Sequence, residues 1–304
     1  MVGLVALVVV VVWVAQRGSA PRATAGGGGS PASGTALDPA TFASGACMAF
    51  DPLKGDSHRT VFLDAGHGGI DPGGVGTTED GSSVTEASVT LAIELDTMAE
   101  LRADGDRVVV SRTSDTTVVR LGSADESGGL LTLQGSHDDV VARDQCANLA
   151  HASLLVGIYM NAAATPQGAG SVTVYDDDRS FGAANLRLAK ALQQDTLAVM
   201  NARGWAIPDD GVEPDSGFGS YVGDPSAGGL AAEAAAYNHL LLLGPSSPGF
   251  LTTPSDMPGA VIEPLYLTDP FEGSIADNRS DQHTVARGIA EGIERYLTPS
   301  RVTG

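Results

Sequence analysis

His67 lies in the loop Asp64-Ala-Gly-His67-Gly-Gly-Ile-Asp71-Pro-Gly-Gly, directly after the apolar run Val61-Phe62-Leu63. The glycines let the backbone turn sharply and bring an imidazole close to a ligand. Glu86 opens the next helical period and has two readings. It could face a ligand, or it could close a capping box in Ser83-Val-Thr-Glu86 and serve only the helix terminus. Glu263 stands in Ala260-Val-Ile-Glu263-Pro-Leu-Tyr-Leu267, which otherwise reads as a buried strand. A buried acid costs several kcal/mol (roughly) unless it is paired, bound to metal or used in proton transfer. Arg112 and Arg143 are the candidate ion-pair partners. A histidine and two acids of this kind suit metal ligation and acid/base work. The Gly-x-Ser-x-Gly elbow of serine esterases and the His-Glu-x-x-His helix of common metalloproteases are both absent.

The elements that must position these residues alternate in type. Residues 61–63, 108–110, 154–160, 172–175, 240–243 and 261–267 read as strands. Residues 86–101 place Val89, Ala92, Leu95 and Met98 on one helical face, and 181–203 form a longer helix closed by Gly204. Residues 280–297 begin with a Ser cap and carry Val285, Ile289, Ile293 and Tyr296 on one side. The pattern predicts a single α/β domain with a central, mostly parallel or mixed sheet of about six strands, covered by helices on both faces. Sites in such folds form beyond the carboxyl ends of the strands, where the loop of His67 falls. Residues 122–139 and 207–229 read as long surface loops.

The excess of Asp and Glu over Lys and Arg, 37 against 17, gives a formal charge of -20 and argues against capture of nucleic acid or anionic lipid. Residues 1–16 are nearly all apolar and read as a signal peptide or membrane anchor, so any membrane link runs through that segment alone. Arg17 and Arg22 follow this run rather than preceding it. Residues 17–43 read as a Gly/Ser/Pro/Ala-rich linker and 44–299 as the folded domain. The expected location is outside the cytoplasmic membrane, exported to the wall or anchored facing outward. Cys47 and Cys146 would suit one disulfide there, although sequence leaves the pairing open.

Five segments in order, DAGHGGIDPG, a Glu opening the following helix, VVVSRTSD, ARDQCANLAHASLLVGIYMNAAA and MPGAVIEPLYLTDP, resemble the bacterial zinc-dependent N-acetylmuramoyl-L-alanine amidases over residues 60–297. The resemblance implies that His67 and Glu86 are zinc ligands and that Glu263 is the catalytic acid/base. It implies peptidoglycan as substrate, cleaved between N-acetylmuramic acid and L-alanine by a water that zinc polarises. The third ligand position, a histidine in the family, is occupied here by Tyr159. Leu265 and Asp269 also depart from the family's usual Gly and Asn. His137 on the same edge is the best substitute ligand, ahead of His58, His151 and His283, and Asp71 could approach from the loop of His67. A second reading follows from Tyr159: an inactive relative that binds peptidoglycan or regulates wall turnover.

Overall fold

The computed structural model describes residues 34–216 and 228–298. The signal or anchor segment 1–16 and most of the linker 17–43 lie outside the described residues. Among the described residues, no helix is long and apolar enough to cross a membrane.

Eight strands form one mixed sheet. In spatial order they are β1 (Thr35–Ala36), β2 (Ala46–Phe50), β6 (Arg107–Arg112), β3 (Thr60–Ala65), β9 (Leu154–Ile158), β12 (Gly259–Glu263), β10 (Ser171–Tyr175) and β11 (Asp209–Pro214). The central four, β6, β3, β9 and β12, are parallel, while β2 and β10 pair antiparallel to them at either side. Two hairpins, β4 (Val75–Thr77) with β5 (Ser83–Thr85) and β7 (Glu126–Ser127) with β8 (Leu130–Leu131), decorate the connections. The short β1 and a fully buried Phe42 show that residues 35–43, read from sequence as the end of the linker, already belong to the fold.

Helices cover both faces. On one, α1 (Glu86–Ala103), α3 (Gly182–Asn201) and α6 (Arg279–Leu297) pack against Val61, Leu63, Val108, Val110, Leu154 and Val156. On the other, α2 (Leu133–Leu149) packs on Phe62, Val109 and Leu155. Successive strand residues therefore enter different cores, which is why the central strands read as unbroken apolar runs. The remaining helices among the described residues are α4 (Leu230–Tyr237) and α5 (Pro270–Asp277). Cys47 on β2 and Cys146 on α2 form a disulfide inside the α2-side core, pinning the sheet edge to that layer.

Four local readings change. Residues 240–243 form a turn, with Leu243 and Gly244 donating to the carbonyl of Leu240, so their apolarity reflects burial rather than strand pairing. The second half of residues 122–139 is the start of α2, capped by Thr132, whose hydroxyl accepts from Gly135 N–H. The cap of α6 is Asn278, whose side chain accepts from the N–H groups of Ser280 and Asp281, not Ser280 itself. Residues 83–85 are a strand, and Thr85 before α1 makes no side-chain cap, so the capping-box role of Glu86 is not realised.

The buried face of α1 is partly polar: it includes Glu86, Thr90, Glu94 and Thr97 beside Val89 and Met98. Glu94 Oε1 accepts from the N–H groups of Ala65 and Ser111 and from the Ser111 hydroxyl. Burial, opposed by Arg112 and assisted by Asp64, pushes its carboxyl up to about 8. A carboxyl raised in the folded state holds its proton more tightly there than in the unfolded chain, so its contribution is greatest at low pH. That contribution is lost as pH rises from the ordinary carboxylate range to about 8. Melting temperature is expected to fall over that window. In Glu94→Gln, which keeps the accepting oxygen, the fall should flatten in thermal melts taken across pH; an unchanged slope would assign it to other groups.

Candidate active site

Register brings the candidate residues to one edge. Ala65 on β3 and Ile262 on β12 both stand level with Ile158 of the central β9. His67 and Tyr159 therefore follow the carboxyl ends of β3 and β9, Glu263 is the last residue of the adjacent parallel β12, and Glu86 reaches the same place from the first turn of α1. This is the sheet edge that the strand pattern singled out in the sequence.

His67 sits at φ 61°, in the left-handed region that a non-glycine residue occupies only when its surroundings impose it. Arg143 imposes part of it. Its guanidinium donates to the carbonyls of Ala65 (2.7 Å) and His67 (2.9 Å) and pairs with Asp64 (2.6 Å) and Asp139 (2.7 Å). Arg112, also buried, donates to the carbonyls of Ala65, Gly66 and Ala87. Both arginines are thus committed to the loop of His67, and neither forms the ion pair with Glu263 that sequence left open. Gly73 completes the cradle, because a Cβ there would stand 2.6 Å from the His67 ring and 2.8 Å from Glu86 Oε2.

The imidazole lies between two acids. Nδ1 meets Asp71 Oδ2 at 2.8 Å, and Nε2 faces Glu86 Oε2 at 3.2 Å. Burial opposes its charge, but Glu86 and Asp71 outweigh burial and lift its pKa to about 10. Glu86 is held from behind by backbone donors, Met160 N–H to Oε1 and Gly74 N–H to Oε2, each at 2.8 Å. Glu263 stands beside this pair. Its Oε2 is buried with no hydrogen-bond partner, and burial, then the Glu86 carboxylate, push its pKa to about 8 against the pull of His67. An acid poised near neutrality can both take and give a proton.

A family model for N-acetylmuramoyl-L-alanine amidases matches residues 61–295. The chain belongs to the N-acetylmuramoyl-L-alanine amidase family. Its activity is that of a peptidoglycan hydrolase acting on that amide. The germination-specific N-acetylmuramoyl-L-alanine amidase of Bacillus subtilis is 25% identical over 249 residues, covering 81% of this chain and 82% of the relative. Two solved structures share the fold. The CwlD amidase of Clostridioides difficile, in complex with the GerS lipoprotein, has a TM-score of 0.57 at 23% identity, covering 79% of this chain and 98% of that one. The amidase AmiC2 of Nostoc punctiforme has a TM-score of 0.53 at 22% identity, covering 80% and 99%.

In this amidase Tyr159 is turned away from the His67–Glu86 pair. Its hydroxyl donates to Asp64 Oδ2 at 3.1 Å, and its ring meets that of His67 edge-on, with centroids 5.6 Å apart. Burial and the Asp64 carboxylate hold its pKa well above the usual phenol value, so it does not ionise near neutral pH. Among the described residues, none of the substitutes offered by the sequence completes the site. His137 is on α2 rather than in a loop, with Nε2 on the carbonyl of Phe250 at 2.8 Å. His58 faces Asp56, and His283 faces Asp96 and Glu100. Asp71 is spent on His67 Nδ1. Among the described residues, no third His, Cys, Asp or Glu forms a metal-holding group with His67 and Glu86. Of the two milder departures, Leu265 is fully buried, and Asp269 caps α5 by accepting from Glu272 N–H at 2.9 Å.

The residues present nonetheless offer a divalent cation two facing donor atoms. An imidazole nitrogen and a carboxylate oxygen face one another, a second carboxylate fixes the ring from behind, and Glu263 adds a buried oxygen lacking a donor. Sequence reasoning passed over one comparable cluster, His239 with Asp176 and Asp215. The three residues are scattered along the chain, and no spacing links them.

Proposed function

We propose that this amidase hydrolyses the bond between the lactyl group of N-acetylmuramic acid and the first L-alanine of the stem peptide, with zinc held by His67 and Glu86 and with Glu263 as the acid/base. The observation that carries this reading is the 3.2 Å approach of His67 Nε2 to Glu86 Oε2 beside the unpartnered Oε2 of Glu263. When bound, a zinc ion supplies Lewis acidity toward the scissile carbonyl and a water. Asp71 accepts from His67 Nδ1 and so leaves Nε2 as the donor atom. Glu263 takes a proton from the attacking water and passes it to the leaving nitrogen of L-alanine. Export is the matching compartment, because both the substrate and the Cys47–Cys146 disulfide belong outside the reducing cytosol.

The test is digestion of purified sacculi by protein stripped with a chelator and then resupplied with zinc. Free α-amino groups on L-alanine should appear only after zinc is restored, and zinc content should drop by one per chain in Glu86→Ala. Release of new reducing sugar ends without new amino termini would sink the assigned bond. Unchanged zinc content in Glu86→Ala would sink the assigned metal position. Sacculus binding without any digestion would leave a wall-binding relative.

A further inference from the structure

Asp176, Asp215 and His239 meet where β10 and β11 end. Because β10 runs antiparallel to β12 with Val172 opposite Glu263, Asp176 lies four residues beyond that level. At the usual strand rise this is about 13 Å along the sheet from the active-site edge.

The two carboxylates are fully buried, and each spends one oxygen on the backbone. Asp176 Oδ1 accepts from the N–H groups of Asp178 (2.9 Å) and Arg179 (2.8 Å), and Asp215 Oδ2 accepts from Leu240 N–H (3.0 Å). Their remaining oxygens converge on one atom: His239 Nδ1 is 3.0 Å from Asp176 Oδ2 and 3.2 Å from Asp215 Oδ1. A ring nitrogen carries at most one proton. The hydrogen bond goes to Asp215, and Asp176 Oδ2 is left buried without a donor. The other ring nitrogen, Nε2, faces the exposed Asp178 carboxylate at 3.7 Å.

Neighbouring donors do not fill the gap. The Arg179 guanidinium is bound to the carbonyls of Leu243, Gly244 and Ser255, and the Tyr237 hydroxyl donates to Pro245 O at 2.6 Å. Two buried carboxylates thus share one imidazole. Burial, then the nearby Asp176, push Asp215 up to about 7.

We propose that Asp176, Asp215 and His239 form a second divalent-cation site that ties the ends of β10 and β11 to the turn at residues 240–243. One ligand atom from each residue lies within 4.8 Å of the others, close enough to share one ion. Backbone N–H groups fix each carboxylate from behind, as outer partners do around bound metals. One nitrogen and two oxygens suit a first-row cation of the zinc or manganese type better than calcium, which prefers an all-oxygen shell. With three protein donors this site is better furnished than the two-donor place at His67 and Glu86.

Zinc chloride titrated calorimetrically into Glu86→Ala protein isolates this site from the first. The expected result is one zinc per chain with a raised melting temperature, both lost when Asp176→Asn is added. The same titration on His67→Ala guards against a folding defect in the first variant. Asp176→Asn alone should digest sacculi at the wild-type rate. The proposal is overturned if neither first-site variant binds zinc. It is equally overturned if Asp176→Asn leaves zinc binding intact, since the ion would then be held elsewhere.

Discussion

Glu263→Gln is expected to lower sacculus hydrolysis by about two to four orders of magnitude, the usual yield of a positioned acid/base. Zinc content and fold should not change. The substitution conserves shape at the end of β12 and removes only the ability to take and return a proton. Glu263 Oε2 accepts no hydrogen bond, and neither Arg112 nor Arg143 pairs with it, so its charge contributes no ion pair that the variant could lose. Burial and the Glu86 carboxylate already favour the neutral acid, and the amide should be at least as stable in that place. Hydrolysis rate, zinc content and melting temperature measured on the same preparation separate the two roles. A variant that stays folded, binds zinc and remains within about tenfold of wild type would remove Glu263 from the mechanism, since the loss would fall short of general-acid/base catalysis.

Tyr159→His is expected to tighten zinc binding by about two orders of magnitude or more, because three protein ligands are the norm for catalytic zinc and two hold it poorly. Position 159 follows β9 between the loop of His67 and β12, and its ring already stands edge-on to the imidazole of His67. The phenol fails there for two reasons: its hydroxyl is committed to Asp64, and burial keeps it from ionising. Imidazole donates a lone pair without first losing a proton of that kind. The change also takes a donor from Asp64 Oδ2, while Arg143 continues to hold Oδ1. A cost of about 1–3 kcal/mol in the zinc-free protein follows from the lost hydrogen bond. The variant should therefore melt lower than wild type when stripped and recover, or exceed it, with zinc. Competition against a chromophoric chelator measures the affinity directly. Equal affinities would mean that position 159 does not face the metal, and the third place would have to be sought elsewhere.

How far the residues alone could lead is clearest where they failed. The loop of His67 was legible because glycine spacing and the preceding apolar run are local signals, and the strand pattern placed it at the carboxyl edge. Glu86 carried two competing local meanings, a cap and a ligand. Only the packing of α1 against β9 and the loop of His67 removes the cap, by setting the N–H groups of Met160 and Gly74 on its carboxylate. Residues 240–243 misled because apolarity reports burial, and a buried turn is as apolar as a buried strand. The edge strand β11 went unread for the converse reason, its sequence Asp-Asp-Gly-Val-Glu-Pro being polar and largely exposed.

The α/β class, the helices α1, α3 and α6, the order of the motifs and Tyr159 in place of a histidine were all legible along the chain, because each is written in neighbouring residues or in a fixed period. Tertiary structure alone decided which of several charges meet. It sent Arg112 and Arg143 to the loop of His67 rather than to Glu263, joined Cys47 to Cys146, and turned Tyr159 toward Asp64. It also gathered Asp176, Asp215 and His239 at the opposite edge. Such meetings depend on strand register and on the direction of side chains across long separations, and no local pattern encodes either.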